Sequence, residues 1–308
     1  MVDSDDALVV TPLVAVPFVA LLSAGPLFDG WLVDWLHSSL PAWTSYLFAA
    51  ATLFGEPWVF VPVLAAAYWF GDPDRIAPLF GLVFGGLALA LVLKAALALP
   101  RPTAGPMIPV ESAPESIRGA YDWTIHADGY GFPSAHSIGA VLAWGGLAGA
   151  LQAGTRRTRI WVAGAFVTLA GLSRLGLGVH YAVDVVGGTL IGVAMLYGWW
   201  AASRRVRRPV VATFGVALAC AALPVVLGVG GDDSLYAPRR SFRPGFVGVV
   251  ATAAGIVWFL GAGGVVGSVE PGTVGSVATT ATMGVAIFSW PVAVGAARTR
   301  LERARSHG

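Results

Sequence analysis

The sequence predicts an all-α protein, a polytopic transmembrane bundle of about 8–9 membrane helices. Three observations carry this prediction. Of 308 residues, 56% are hydrophobic and 12% charged, whereas a soluble domain carries about 25% charge. Apolar runs near twenty residues long recur along most of the chain, and each is long enough to cross a bilayer. The few charges gather at the ends of those runs, where they report topology. A mean hydropathy of +0.73 agrees. The net charge of +2 is too small to suggest a nucleic-acid partner. The single cysteine, Cys220, lies inside an apolar run; it forms no intrachain disulfide and reads as a small buried side chain.

Residues 1–7 are polar and acidic, and the apolar run from Leu8 to Leu27 contains Pro12 and Pro17. An acidic rather than basic leader argues against a signal peptide. The run reads as an irregular membrane span or an interfacial segment. Residues 29–41 mix tryptophans with charges, as a membrane-interface belt does. A second span runs from Trp43 to Phe70. Gly55-Glu56-Pro57 interrupts it, marking either the membrane edge or a kink. Residues 72–75 read as a turn, and the third span runs from Ile76 to Leu99, apolar until Lys94. A long polar segment, 100–132, follows; loops of this length are usually functional. Pro133 and Ser134 open a helix to about Leu151. The next helix covers 160–177, and another runs from about His180 to Ala202. Basic clusters at 156–159 and 204–208 fall on one face, the expected cytoplasmic side. Lys94, Ser134 and His180 then fall on the opposite face.

Beyond Pro209 come three further runs, 210–228, 246–267 and 272–297. They are rich in Val, Ala and Gly, which suits close helix packing. The chain thus divides into an N-terminal apolar or interfacial segment (1–42), a membrane core (43–208) and C-terminal helices of unassigned role (209–308). Three more crossings would leave the basic tail 298–305 outside, against the usual charge bias.

Candidate chemistry concentrates at three stretches of the outer face. Lys94 is the single lysine in a chain that otherwise uses arginine, and Arg101 follows seven residues later, about two helical turns. Both also fit as residues snorkelling at a membrane edge. Ser134 sits at a helix start, where free backbone N–H groups favour an anion, and His136 follows it. His180 and Asp184 are four apart. On one helix face the carboxylate would hold one imidazole nitrogen and leave the other free to attack. Arg174 precedes them with a planar donor fork suited to phosphate oxygens. This set of cations, a helix start and two histidines suits phosphoryl transfer through a covalent intermediate. His126 and Asp128 read as polar loop residues, Glu270 as a helix-end carboxylate, and His37 and His307 carry no signal.

The order Lys-x6-Arg-Pro, then Pro-Ser-x-His, then Ser-Arg-x5-His-x3-Asp resembles the type 2 phosphatidic acid phosphatase and vanadium haloperoxidase superfamily. The motifs span Lys94 to Asp184, about a third of the chain, within a six-helix phosphatase-like core. One position departs: Ala135 stands where the family usually has glycine, and its backbone N–H remains available. The resemblance implies roles residue by residue. His180 resembles the nucleophile, Asp184 its orienting carboxylate and His136 the general acid. Lys94, Arg101, Ser134, Arg174 and the Ala135 amide resemble the phosphate cradle. It implies no metal and no cofactor.

The expected function is a membrane-embedded phosphatase acting on a lipid phosphate monoester or diphosphate. The lipid would resemble phosphatidic acid, phosphatidylglycerol phosphate or a polyprenyl diphosphate, and the site would face the non-cytoplasmic side of the cell membrane. Rivals are a lipid headgroup transferase using the same site and a non-catalytic transporter or scaffold. A vanadate-dependent haloperoxidase fits poorly with so many membrane spans. The expected partners are a lipid phosphate and the membrane, and oligomeric state is left open.

Overall fold

The computed structural model describes residues 30–125, 127 and 129–226. The run 8–27, His126, Asp128, the loop and runs beyond 226, Glu270 and His307 lie outside the described residues. Among the described residues every regular element is helical. Two helices, Pro73–Leu97 and Ala182–Ser203, are long and apolar enough to cross a membrane. A third span is reached if the bent pair Thr44–Gly55 and Pro57–Phe70 counts as one. The described residues therefore do not reach the eight or nine crossings expected from the sequence.

Helix α1 covers 30–39. Helix α2 (Thr44–Thr52) runs into a short 3₁₀ turn and then α3 (Pro57–Phe70). The interruption at 55–57 is a kink: the two halves meet at 42°. The cause is local. Glu56 is extended (φ −89°, ψ 132°) and Pro57 starts the next helix, because proline lacks the N–H that would continue the previous ladder and disfavours helical geometry just before it.

Helix α4 (Pro73–Leu97) begins at the stretch expected as a turn. Asp72 caps it, its side chain accepting from the Asp74 N–H at 3.1 Å. Helix α4 ends where Ala98 turns left-handed (φ 50°), just ahead of Pro100 and Pro102. The polar segment that follows is not structureless. It carries α5 (Glu115–Ile125), whose Tyr121 and Ile125 pack with Ala49, Leu177 and Val179. Tyr121 Oη also donates to Ile108 O at 2.9 Å. The segment is thereby pinned against α2 and the turn that carries His180.

Helices α6 (Ala135–Ala140) and α7 (Gly146–Ala150) are joined through a single π-helical stretch, 141–145. Helix α8 (Arg156–Gly176), α9 (Ala182–Ser203) and α10 (Pro209–Val226) complete the bundle. The core is formed by Phe60, Leu79, Phe80, Val83, Ile138, Leu142, Leu196 and Phe214 from α3, α4, α6 with its π-helical continuation, α9 and α10. Helix α10 lies along α4, close enough that a Cβ on Gly81 would stand 2.5 Å from Thr213 Oγ1. Small residues at such a seam let two backbones approach. The outward side of α9 presents Val186, Leu190, Val193 and Tyr197. An exposed apolar stripe of this kind is what a lipid-facing helix requires.

Candidate active site

All three motifs end at the same end of the bundle. The C-terminus of α4, the N-terminus of α6 and the turn between α8 and α9 are adjacent there, joined by direct contacts. The arginine clusters at 156–159 and 204–208 begin α8 and end α9, at the other end of these helices.

The His180–Asp184 pair is formed, but not as two residues on one helix face. His180 lies ahead of the helix, Tyr181 is the N-cap and Asp184 is the third residue of α9. Asp184 Oδ2 accepts from the Tyr181 N–H at 3.0 Å and from His180 Nδ1 at 3.0 Å. One carboxylate oxygen thus caps the helix and orients the imidazole. Both side chains are buried, at 1% exposure each.

The proton position follows from Arg101. Its Nη1 lies 3.1 Å from His180 Nε2 and donates to Val179 O at 2.7 Å. A guanidinium has no acceptor, so Nε2 accepts and the ring proton sits on Nδ1, facing Asp184. Burial, and then the positive charges of Arg101, Lys94 and Arg174, hold the His180 pKa well below the usual value of 6.5. The ring is neutral at pH 7, and its outward nitrogen carries a lone pair.

Lys94 and Arg101 reach the site by different routes from the one their spacing suggests. Lys94 is in α4, whereas Arg101 lies beyond the helix end, so they do not share a helix face. They converge because both grip the 129–131 strap. Lys94 Nζ donates to Tyr130 O at 2.7 Å and Arg101 Nε to Gly129 O at 3.0 Å. The Gly131 N–H donates to Leu99 O at 2.8 Å. The strap leads into Ser134, whose backbone N–H donates to Asp184 O at 3.0 Å and whose hydroxyl caps α6 by accepting from the Ser137 N–H. Ala135 is the first residue of α6.

Arg174 is 1% exposed. Its Nη1 donates to Thr52 Oγ1 at 2.9 Å and to Thr124 O at 3.2 Å, while its Nε is buried with no partner. Helix α2, α5 and α8 therefore meet at this guanidinium. His136 is the second residue of α6, and its Nε2 lies 2.7 Å from Glu56 Oε1. Thr52, Thr124, Tyr130, Gly131 and Glu56 were not among the residues singled out from sequence. For Glu56 a signal existed: an ionisable side chain inside an apolar run is a functional candidate by default. Among the described residues no three His, Cys, Asp or Glu side chains group as a metal site.

Gly131 is a point of close approach. A Cβ there would stand 2.8 Å from Asp184 Oδ2 and 3.0 Å from Pro100 O. Gly131→Ala should displace either the strap or the carboxylate. The shift needed is a fraction of an ångström, and displacements near 1 Å cost on the order of 10² in rate, which sets the upper bound. The expected result is a loss in kcat/KM of up to that size with the helical circular dichroism retained, and undiminished turnover would show that the contact relaxes freely.

Residues 76–208 match the family model of the PAP2 superfamily. Phosphatidylglycerophosphatase B of Bacillus subtilis (strain 168) is similar at 29% identity over 89 residues, 27% of this chain and 44% of that protein. The chain thus spans less than half the length of that relative. A solved transmembrane PAP2-type phosphatidylglycerolphosphate phosphatase from Bacillus subtilis matches with a TM-score of 0.50. Identity there is 22%, over 64% of this chain and 98% of that one. At that identity the likeness is one of fold. The span from Lys94 to Asp184 lies inside the matched residues, and Glu56 lies outside them.

Proposed function

Residues 76–208 of this chain belong to the PAP2 superfamily, and from that premise we propose a membrane-embedded phosphatase that hydrolyses a lipid phosphate monoester through a phosphohistidine. The observation that carries the proposal is the His180 imidazole, neutral and held by Asp184, with Nε2 turned toward Arg101. The substrate phosphate takes over the Arg101 donors, which frees the Nε2 lone pair. Nε2 attacks phosphorus as the ester P–O bond breaks, and the leaving oxygen takes a proton from His136. Lys94, Arg101, Arg174 and the helix start at Ser134 and Ala135 stabilise the negative charge spread over the equatorial oxygens. Water then attacks the phosphohistidine, giving a proton to His136, and the P–N bond breaks to restore neutral His180.

The name of the similar Bacillus subtilis protein favours phosphatidylglycerol phosphate within the lipid phosphate class. The arginine clusters at the far end of the bundle favour a site on the non-cytoplasmic side of the cell membrane. The catalytic unit is the core 43–208, and the chemistry calls for no metal, because cations and amides supply the positive charge.

The test is phosphate release by the purified full chain in detergent from dispersed phosphatidylglycerol phosphate and phosphatidic acid. Release should persist in chelator and stop with vanadate, which adopts the trigonal-bipyramidal geometry of the transfer. No release from any phosphomonoester or diphosphate lipid by folded protein would end this reading.

A further inference from the structure

Glu56 sits in a break between two apolar helices, where nothing in its own segment satisfies its side chain. A carboxylate at such a place persists when it is paired and has a task. Its partner is 80 positions along the chain: Oε1 lies 2.7 Å from His136 Nε2, and the two side chains are 12% and 20% exposed. The approach is built into the backbone. Pro57 forces the break, and the extended geometry of Glu56 turns it out of the helix. Gly55 removes the side chain that would collide, since a Cβ there would stand 2.9 Å from His136 Cβ and 3.0 Å from its Cδ2. The ring edge carrying Cδ2 and Nε2 therefore rests on the break, and the opposite edge, carrying Nδ1, is turned away from it.

Resting on the phosphatase reading above, we propose that Glu56 is the positioning residue of the general acid, a second carboxylate–imidazole pair that does for His136 what Asp184 does for His180. Nε2–H donates to Glu56, so Nδ1 is the nitrogen that exchanges protons with substrate. In the first half-reaction the Nδ1 proton moves to the ester oxygen as the P–O bond breaks. His136 is left neutral with its remaining proton held by Glu56. In the second half, Nδ1 takes the proton from the water whose oxygen bonds to phosphorus as the P–N bond breaks. A carboxylate beside the ring favours its protonated form, opposing burial and the nearby guanidinium, and keeps the ring from turning, so the proton is aimed when the alkoxide departs.

A rival role is electrostatic: Glu56 also attracts the buried Arg174 guanidinium, and its loss could loosen the phosphate cradle. Leaving-group chemistry separates the two. An alkyl phosphate expels an alkoxide and needs the proton, whereas p-nitrophenyl phosphate expels a stable phenolate and does not. The experiment measures kcat/KM, which reports steps up to phosphoenzyme formation, for the full-length wild type and Glu56→Gln on dioctanoyl phosphatidic acid and p-nitrophenyl phosphate. The expected loss is on the order of 10²-fold on the alkyl ester and far smaller on the aryl ester. Retained aryl turnover also certifies the folded state of the variant. In a His136→Gln background the same Glu56→Gln change should cost nothing further, as required of a residue acting through His136.

Equal losses on both esters, no loss on either, or an undiminished effect in the His136→Gln background would each overturn the assignment while leaving the phosphatase reading intact. A wild type inactive on both esters would instead sink that reading, and this assignment with it.

Discussion

Replacing His180 by alanine should reduce phosphate release by a factor on the order of 10⁴ or more, because removing the proposed nucleophile removes the covalent route itself. The remaining cradle of Lys94, Arg101 and Arg174 can still bind phosphate, so KM should change much less than kcat. His180 is buried, and truncation leaves a cavity, so a folding control is needed. His180→Asn provides it: the amide leaves a smaller cavity than alanine and its Nδ2 can take the place of Nδ1 in donating to Asp184, yet it carries no nucleophilic nitrogen. Both variants should give the same low rate. Brief exposure of wild type to lipid carrying labelled phosphate should leave an acid-labile, base-stable label on the protein, as a phosphohistidine does, and both variants should lack it. Wild-type turnover in either variant would remove His180 from the mechanism.

Asp184→Asn should lower kcat by on the order of 10³–10⁴, the loss seen when an orienting carboxylate is made an amide and the wrong imidazole tautomer results. Asp184 Oδ2 receives both the Tyr181 N–H and His180 Nδ1. Because one oxygen serves both bonds, an asparagine with NH₂ in that place loses the helix cap and favours a proton on Nε2. One with its oxygen there keeps both bonds but not the negative charge that supports the imidazole as it becomes positive. A proton on Nε2 removes the attacking lone pair and points at the Arg101 guanidinium, which has no acceptor to offer. Activity should fall in either orientation, and the thermal midpoint reads which is adopted: it moves little where the oxygen keeps the cap of α9 and falls where NH₂ displaces it. A large fall in stability with activity per folded molecule unchanged would show that Asp184 serves the helix alone. Together the two variants separate the group proposed to attack from the group proposed to aim it.

Much of this candidate site was legible in the sequence because its motifs are local and chemically unusual. A lone lysine in a chain of arginines, a serine ahead of a histidine at a helix start, and an Arg–His–Asp series beside apolar runs all stand out from a membrane background. The geometry read from spacing was less sound. His180 and Asp184 meet through the cap of α9, not through a helical face, and Lys94 and Arg101 meet across the 129–131 strap after α4 has ended. In both places the chain leaves regular structure at the candidate residue, so a periodicity rule counts through a turn it cannot see. Helix α5 was hidden for another reason: its polar surface resembles a loop, and Ile117, Tyr121 and Ile125 at intervals of four were the available hint.

The amino-acid sequence by itself determined the class of the protein, the membrane as its solvent and the identity of the groups that could handle a phosphate, because hydrophobic runs and motif chemistry are properties of neighbouring residues. Only the tertiary structure decided which tautomer His180 holds, that Arg174 ties α2 and α5 to α8 through Thr52 and Thr124, and that Glu56 reaches His136. Those contacts join residues from 50 to 122 positions apart. A pairing at that range is set by how helices pack, and packing depends on the whole bundle at once.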